Sequence, residues 1–130
     1  MKEEDFQLLD AQLMERCNAV LKQRGSAYAT QADRFSNFKE IAQQVGCSPL
    51  HVCHIYLLKG MSVINKLMRG ETVPGEHEHE RFADAINYLR LGFALRQELR
   101  TESFDERLDE AMDFNERERQ LRVAAAQPRR

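Results

Sequence analysis

The sequence predicts an all-α protein, a helical bundle of four to five helices carrying a charged C-terminal helical arm. Three observations predict it. Apolar residues recur at steps of three and four along most of the chain, the spacing that lines one face of a helix. Only six Gly and three Pro punctuate 130 residues, and most of them stand where that spacing breaks. Charged residues make up 31% and hydrophobic ones 42%, a balance that suits amphipathic helices around one core better than a sheet or a disordered chain.

From Glu3 to Arg24, Phe6, Leu9, Leu13, Cys17, Val20 and Leu21 keep a helical step, and Gly25 is expected to close this helix as its C-terminal cap. Ser26 to Asp33 reads as a loop. A shorter helix follows over Phe35 to Val45, with Phe38, Ile41 and Val45 facing inward, and Gly46 ends it. Ser48-Pro49 is a helix start, in which the hydroxyl caps free amides and the proline takes a first-turn position whose N–H is not needed. The third helix runs to Arg69 on an apolar side of Val52, Ile55, Leu58, Val63, Leu67 and Met68, with Gly60 expected to allow a bend or a close helix crossing. Gly70 to Glu76, containing Pro74 and Gly75, is a connector. A fourth helix is expected over Glu78 to Leu99 with Phe82, Ile86, Leu89 and Phe93 as its buried stripe. The capping-box pair Ser103 and Glu106 then predicts a fifth helix from about Phe104. Past Met112 charges crowd in, so the bundle domain is placed at 1–112 and an exposed arm at 113–130, frayed at its end.

The formal net charge of -2 argues against a general nucleic-acid binder. No apolar run is long enough to span a bilayer, and acidic residues rather than a signal sequence follow Met1, so the chain reads as cytoplasmic, with no membrane contact. Cys17, Cys47 and Cys53 form no paired framework and fit buried thiols in a reducing compartment.

Several residue groups carry candidate chemistry. Glu80 and Asp84, four apart, would share a helix face and could hold a divalent cation, since hard cations prefer carboxylate oxygens; solvated helix surface is the commoner fate of such a pair. Asp33 and Asn37 repeat that spacing, with helix capping the plainer role for Asp33. Lys59, Lys66 and Arg69 could contact phosphate or pair with Glu80 and Asp84 across neighbouring helices. His77 and His79 flank Glu78, as ligands or as solvated side chains. Cys47, His51 and His54 at i, i+4 and i+7 would suit zinc, but no fourth ligand stands nearby, and buried or solvated roles are favoured. There is no supported Ser-His-Asp order, no glycine-rich phosphate loop and no CxxC pair.

The order Tyr28, Asp33-Arg34-Phe35-Ser36-Asn37-Phe38, Lys59 and Asp84-Ala85-Ile86-Asn87-Tyr88 resembles the bacteriophage and bacterial nucleotide-modification-associated domains, a group similar to the MazG-like all-α nucleoside triphosphate pyrophosphohydrolases. The resemblance spans about Arg24 to Leu95. It implies a dimeric helical bundle that presents acidic residues to Mg2+ and basic residues to a nucleotide, with Asp33, Asn37, Lys59, Asp84, Asn87 and Tyr88 as the positions carried over. The chain departs from the group at Ala27, where an acidic residue is usual, and at Ser62, where an arginine is common. It also lacks the consecutive glutamates of the MazG-like enzymes on its central helices.

Two functions are therefore expected. In the first, the protein binds a nucleotide or other phosphorylated ligand, with Mg2+ on Glu80 and Asp84, Lys59 and Arg69 on phosphate, and Tyr28, Asp33, Asn37, Asn87 and Tyr88 around it. In the second, it is a non-catalytic interaction protein, a homodimer or a binder of a protein partner through the arm, whose sparse apolar face includes Leu108, Met112 and Leu121.

Overall fold

The computed structural model describes residues 1–28 and 33–127, apart from the side chains of Tyr28 and Phe104. Among them are four α-helices and no strand: α1 Glu3–Tyr28, α2 Ser36–Val45, α3 Pro49–Met68 and α4 Glu78–Ala126. The chain forms two compact units, Met1–Leu95 and Arg96–Arg130.

In the first unit the core is built largely from small and aromatic residues: Cys17 and Val20 of α1, Phe35 just ahead of α2, Phe38 and Ala42 of α2, Val52, Cys53 and Ile64 of α3, and Ala83, Ala85 and Leu95 of α4. Where α1 meets α4, Cys17 and Ala83 are wholly buried, and the Cys17 thiol lies 3.9 Å from the Ala83 carbonyl. The Asn87 side-chain amide donates to the Cys17 carbonyl at 2.9 Å, and its oxygen accepts from Arg90 at 3.2 Å. Arg90 also reaches Asn18 at 3.0 Å, and Arg16 pairs with Glu80 at 2.7 Å.

The expected stripe on α4 is corrected by this contact. Leu89 and Phe93 are 59% and 69% exposed, whereas Ala83 and Asn87 are buried. Small side chains let two helices approach closely, and a buried amide that finds a carbonyl avoids the desolvation cost of an unpaired polar group. The helix is therefore turned so that Ala83, Ala85, Asn87 and Leu95 face inward, Phe82 and Ile86 of the expected stripe are half-buried, and Leu89 and Phe93 face outward. The same holds in part for α3, where Ile55, Leu58 and Met68 are exposed beside buried Val52, Cys53 and Ile64, and in α2, where Val45 is exposed.

The α2–α3 connection follows the sequence closely. Gly46 adopts φ 78°, a left-handed conformation open to glycine, and the amides of Gly46 and Cys47 both return to the Ala42 carbonyl at 2.8 and 3.0 Å. Ser48 then caps α3, its hydroxyl accepting from the His51 amide at 3.1 Å, with Pro49 in the first turn. Gly60 does not end α3, and a Cβ there would touch nothing, so it marks no close crossing.

Gly25 also departs from expectation. It lies inside α1, which continues to Tyr28, and a Cβ on it would collide with the Arg34 guanidinium. Arg34 donates to the Leu21 carbonyl at 2.9 Å, so the glycine serves as a shelf for a side chain arriving from outside the helix.

The second unit is a continuation of α4. The fifth helix does not start at Phe104, because α4 runs through Ser103 without a break. No Gly or Pro stands between Phe93 and Ala126 to stop it, and the Thr101 hydroxyl bonds back to the Gln97 carbonyl at 3.0 Å within the continuing helix. From Asp105 to Gln127 every residue is exposed, and Asp113–Arg117, Glu116–Arg119 and Glu118–Arg122 pair along the surface at 3.6, 3.7 and 3.3 Å. No helix among the described residues is long and apolar enough to cross a membrane.

Candidate functional site

A cavity of about 450 Å³ opens within the first unit, walled by all four helices. One side is aromatic. Phe35 and Phe38 lie with ring centroids 6.4 Å apart, Phe38 and Tyr56 at 6.2 Å, and Tyr56 stacks on Tyr88 at 5.7 Å with an interplanar angle of 8°. This series links α2, α3 and α4, and its last three rings line the cavity. Aromatic pairs of this kind add about 0.5–1.5 kcal/mol each beyond burial.

The other side is cationic. Arg24 and Arg34 both line the cavity, and both meet α1 within the same turn: Arg24 belongs to it, and Arg34 lies over Gly25 against the Leu21 carbonyl. Arg24 pairs with Asp84 of α4 at 3.1 Å. The second oxygen of Asp84 lies 3.8 Å from Arg81, which itself grips Glu76 at 2.6 Å. Asp84 is only 12% exposed, whereas Arg24 is half exposed at the opening.

Burial pushes the Tyr88 phenol above its ordinary pKa, against a smaller downward pull from Arg24, so it stays protonated at neutral pH and can donate as well as accept. Burial likewise raises the Cys17 and Cys53 thiols, and Cys53 donates to the Tyr88 carbonyl at 3.5 Å; neither is a reactive thiolate.

Of the residues singled out in the sequence, Asn37, Asp84, Asn87 and Tyr88 meet at this cavity. Asn87, 5% exposed, has its amide committed to Cys17 and Arg90 and so acts mainly as the clasp between α1 and α4. Asp33 stands apart as a turn residue. Its carboxylate accepts from the Phe35 amide at 2.8 Å and pairs with Lys39 at 2.9 Å, and the Lys39 hydrogen bond, then the Phe35 amide, hold it below the usual carboxylate range. Lys59 is exposed on α3, and Arg69 pairs with Glu71 at 2.7 Å; neither lines the cavity. Glu80 pairs with Arg16, whereas Asp84 pairs with Arg24 and Arg81. The Tyr28 side chain lies outside the described residues.

His77 and His79 are exposed in the sequence leading into α4 and its first turn. Cys47 precedes the Ser48 cap, so it does not share the α3 face with His51 and His54. Among the described residues no cluster of three or more His, Cys, Asp or Glu side chains is placed to hold a metal ion.

Sequence reasoning passed over Arg24, Arg34 and Tyr56. No spacing signal joins the first two in the sequence, and their meeting shows only in the contact of Arg34 with Gly25 and the Leu21 carbonyl. Comparison with family models, with curated proteins and with solved structures finds no match to this chain.

Proposed function

We propose that the protein binds a phosphorylated small molecule of nucleotide size in the cavity of the first unit, Arg24 and Arg34 taking phosphate and the Phe38–Tyr56–Tyr88 wall taking the ring or other flat portion. The observation that carries this reading is the pairing, around one opening of about 450 Å³, of two guanidinia with a stacked aromatic wall. Ligand sites commonly enclose about 300–1,000 Å³ and combine apolar walls with a few convergent polar groups. Guanidinium is the side chain best matched to phosphate oxygens. The phosphate contacts thereby move from Lys59 and Arg69 to two residues that share a turn of α1.

The fuller reading, a MazG-like pyrophosphohydrolase of bacteriophage type, adds Mg2+. Asp84 is the cavity's own carboxylate for such an ion, and Glu80 is one turn away, each now paired with an arginine. Magnesium would supply charge neutralisation on phosphate oxygens. Titrating a nucleoside triphosphate with and without Mg2+ while following the melting temperature tests both levels. A rise in either condition that is lost in Arg24→Ala/Arg34→Ala supports the cavity. A rise only with Mg2+, lost in Asp84→Ala and accompanied by pyrophosphate release, supports the enzyme. No shift with any common nucleotide opposes the reading.

A second reading rests on α4 beyond Arg96, where Leu108, Met112, Phe114 and Leu121 are all exposed. Here the protein is an interaction module that uses this segment to form a homodimer or to hold a protein partner. Removing residues 113–130 should then lower the mass measured by light scattering or abolish partner capture, and an unchanged mass with unchanged capture removes the reason for it.

A further inference from the structure

We infer that Asp84 sets the number of phosphate groups a ligand must bring, so that the cavity selects a diphosphate or triphosphate over a single phosphate. This rests on the phosphate-binding reading above and specifies its substrate class.

The two cavity arginines are not equivalent. Arg34 is tied to a neutral acceptor, the Leu21 carbonyl, at 2.9 Å. That bond uses one of the five guanidinium N–H donors and neutralises no charge. Arg24 already has an anion: the Asp84 carboxylate sits 3.1 Å from it on the cavity wall, nearly buried. Asp84 therefore occupies the place at Arg24 that a phosphate would take. Among the described residues, the lining holds two guanidinia, Arg24 and Arg34, and one carboxylate, Asp84, a balance of one positive charge.

A lone phosphate gains Arg34 but meets Asp84 as a like charge beside it. In a cavity with one apolar wall, such repulsion is screened less than at an open surface. A chain of two or more phosphates reaches both arginines, since they meet the same turn of α1, and it can displace Asp84 from Arg24. The displaced carboxylate is not stranded, because Arg81 lies 3.8 Å from its other oxygen and is itself anchored by Glu76. A built-in competitor of this sort produces specificity by opposing the wrong ligand rather than by adding a contact to the right one.

The test is calorimetric titration of the full chain with inorganic phosphate and inorganic pyrophosphate, at fixed ionic strength in EDTA, comparing wild type, Asp84→Asn and Arg81→Gln. Wild type should bind pyrophosphate at least tenfold more tightly than phosphate. Asp84→Asn should strengthen phosphate binding about tenfold and shrink the pyrophosphate preference at least threefold. Arg81→Gln, on a side chain one-third exposed, leaves Asp84 with Arg24 alone and should weaken both probes. It decides the matter if Asp84→Asn does not fold. An unchanged preference in Asp84→Asn, weaker binding of both probes to it, or stronger binding to Arg81→Gln overturns the inference while leaving the phosphate reading standing. If neither probe binds any of the folded proteins, the phosphate reading and this inference fall together.

Discussion

The two stretches of α4, Glu78 to Leu95 and Arg96 to Ala126, are helical for different reasons. In the first, Ala83, Ala85, Asn87 and Leu95 are buried, and the helix is fixed by what it touches: the Cys17 carbonyl, the Arg24 guanidinium and the Tyr56 ring. In the second, from Asp105 onward, nothing is buried, and what supports the helix is local: good helix formers, no glycine or proline, and surface pairs three and four residues apart. Most helical stability in folded proteins comes from tertiary contact, and a helix without it depends on propensity and on pairs contributing a few tenths of a kcal/mol each. The lesson is that an unbroken helix need not be a uniformly stable one.

The strongest way to break the contrast is Asn87→Leu. It removes the donor to the buried Cys17 carbonyl and forces a larger side chain into the α1–α4 contact, and should cost about 2–4 kcal/mol. Thermal unfolding followed by near-ultraviolet circular dichroism should show the loss, while the helix signal from Arg96 onward survives. A smaller effect should come from acid. The Asp33 carboxyl titrates below its ordinary range in the folded chain, so its contribution is complete above the unfolded-state value, near pH 4, and disappears as pH falls through the folded one. Asp33→Asn should therefore flatten part of the fall in melting temperature below pH ~4 and leave its pH dependence from 6 to 8 unaltered. The least effect should follow Glu118→Gln, which removes the partner of Arg122: about 0.3–0.5 kcal/mol of local helix stability at low salt, seen as faster amide exchange near residue 118 and no change in the melting of the first unit.

Much of the fold was legible because its punctuation is chemical. Gly46, Ser48-Pro49 and Gly70 fix the ends of α2 and α3 through backbone requirements that hold in any surroundings. The inward face of α4 was not legible, since a pattern that weighs large apolar residues looks past Ala83 and Asn87, the side chains that permit a close crossing. For the same reason Gly25 looked like a terminus, when its missing Cβ makes room for Arg34. At the site, Asn37, Asp84 and Asn87 could be picked out by type and spacing, because they sit on regular helices, whereas Tyr88 was singled out only through the family resemblance. Arg24 and Arg34 could not, as they meet through a contact between Arg34 and the backbone of α1 that no helical spacing encodes.

The Tyr56–Tyr88 stack has an optical consequence. The chain contains three tyrosines and no tryptophan, so two of its three strongest chromophores lie face to face on the cavity wall. Their coupling should dominate the near-ultraviolet dichroism of the folded protein, which gives the molecule an intrinsic reporter: any solute that wedges against Tyr88 will announce itself in the spectrum without a dye or a label.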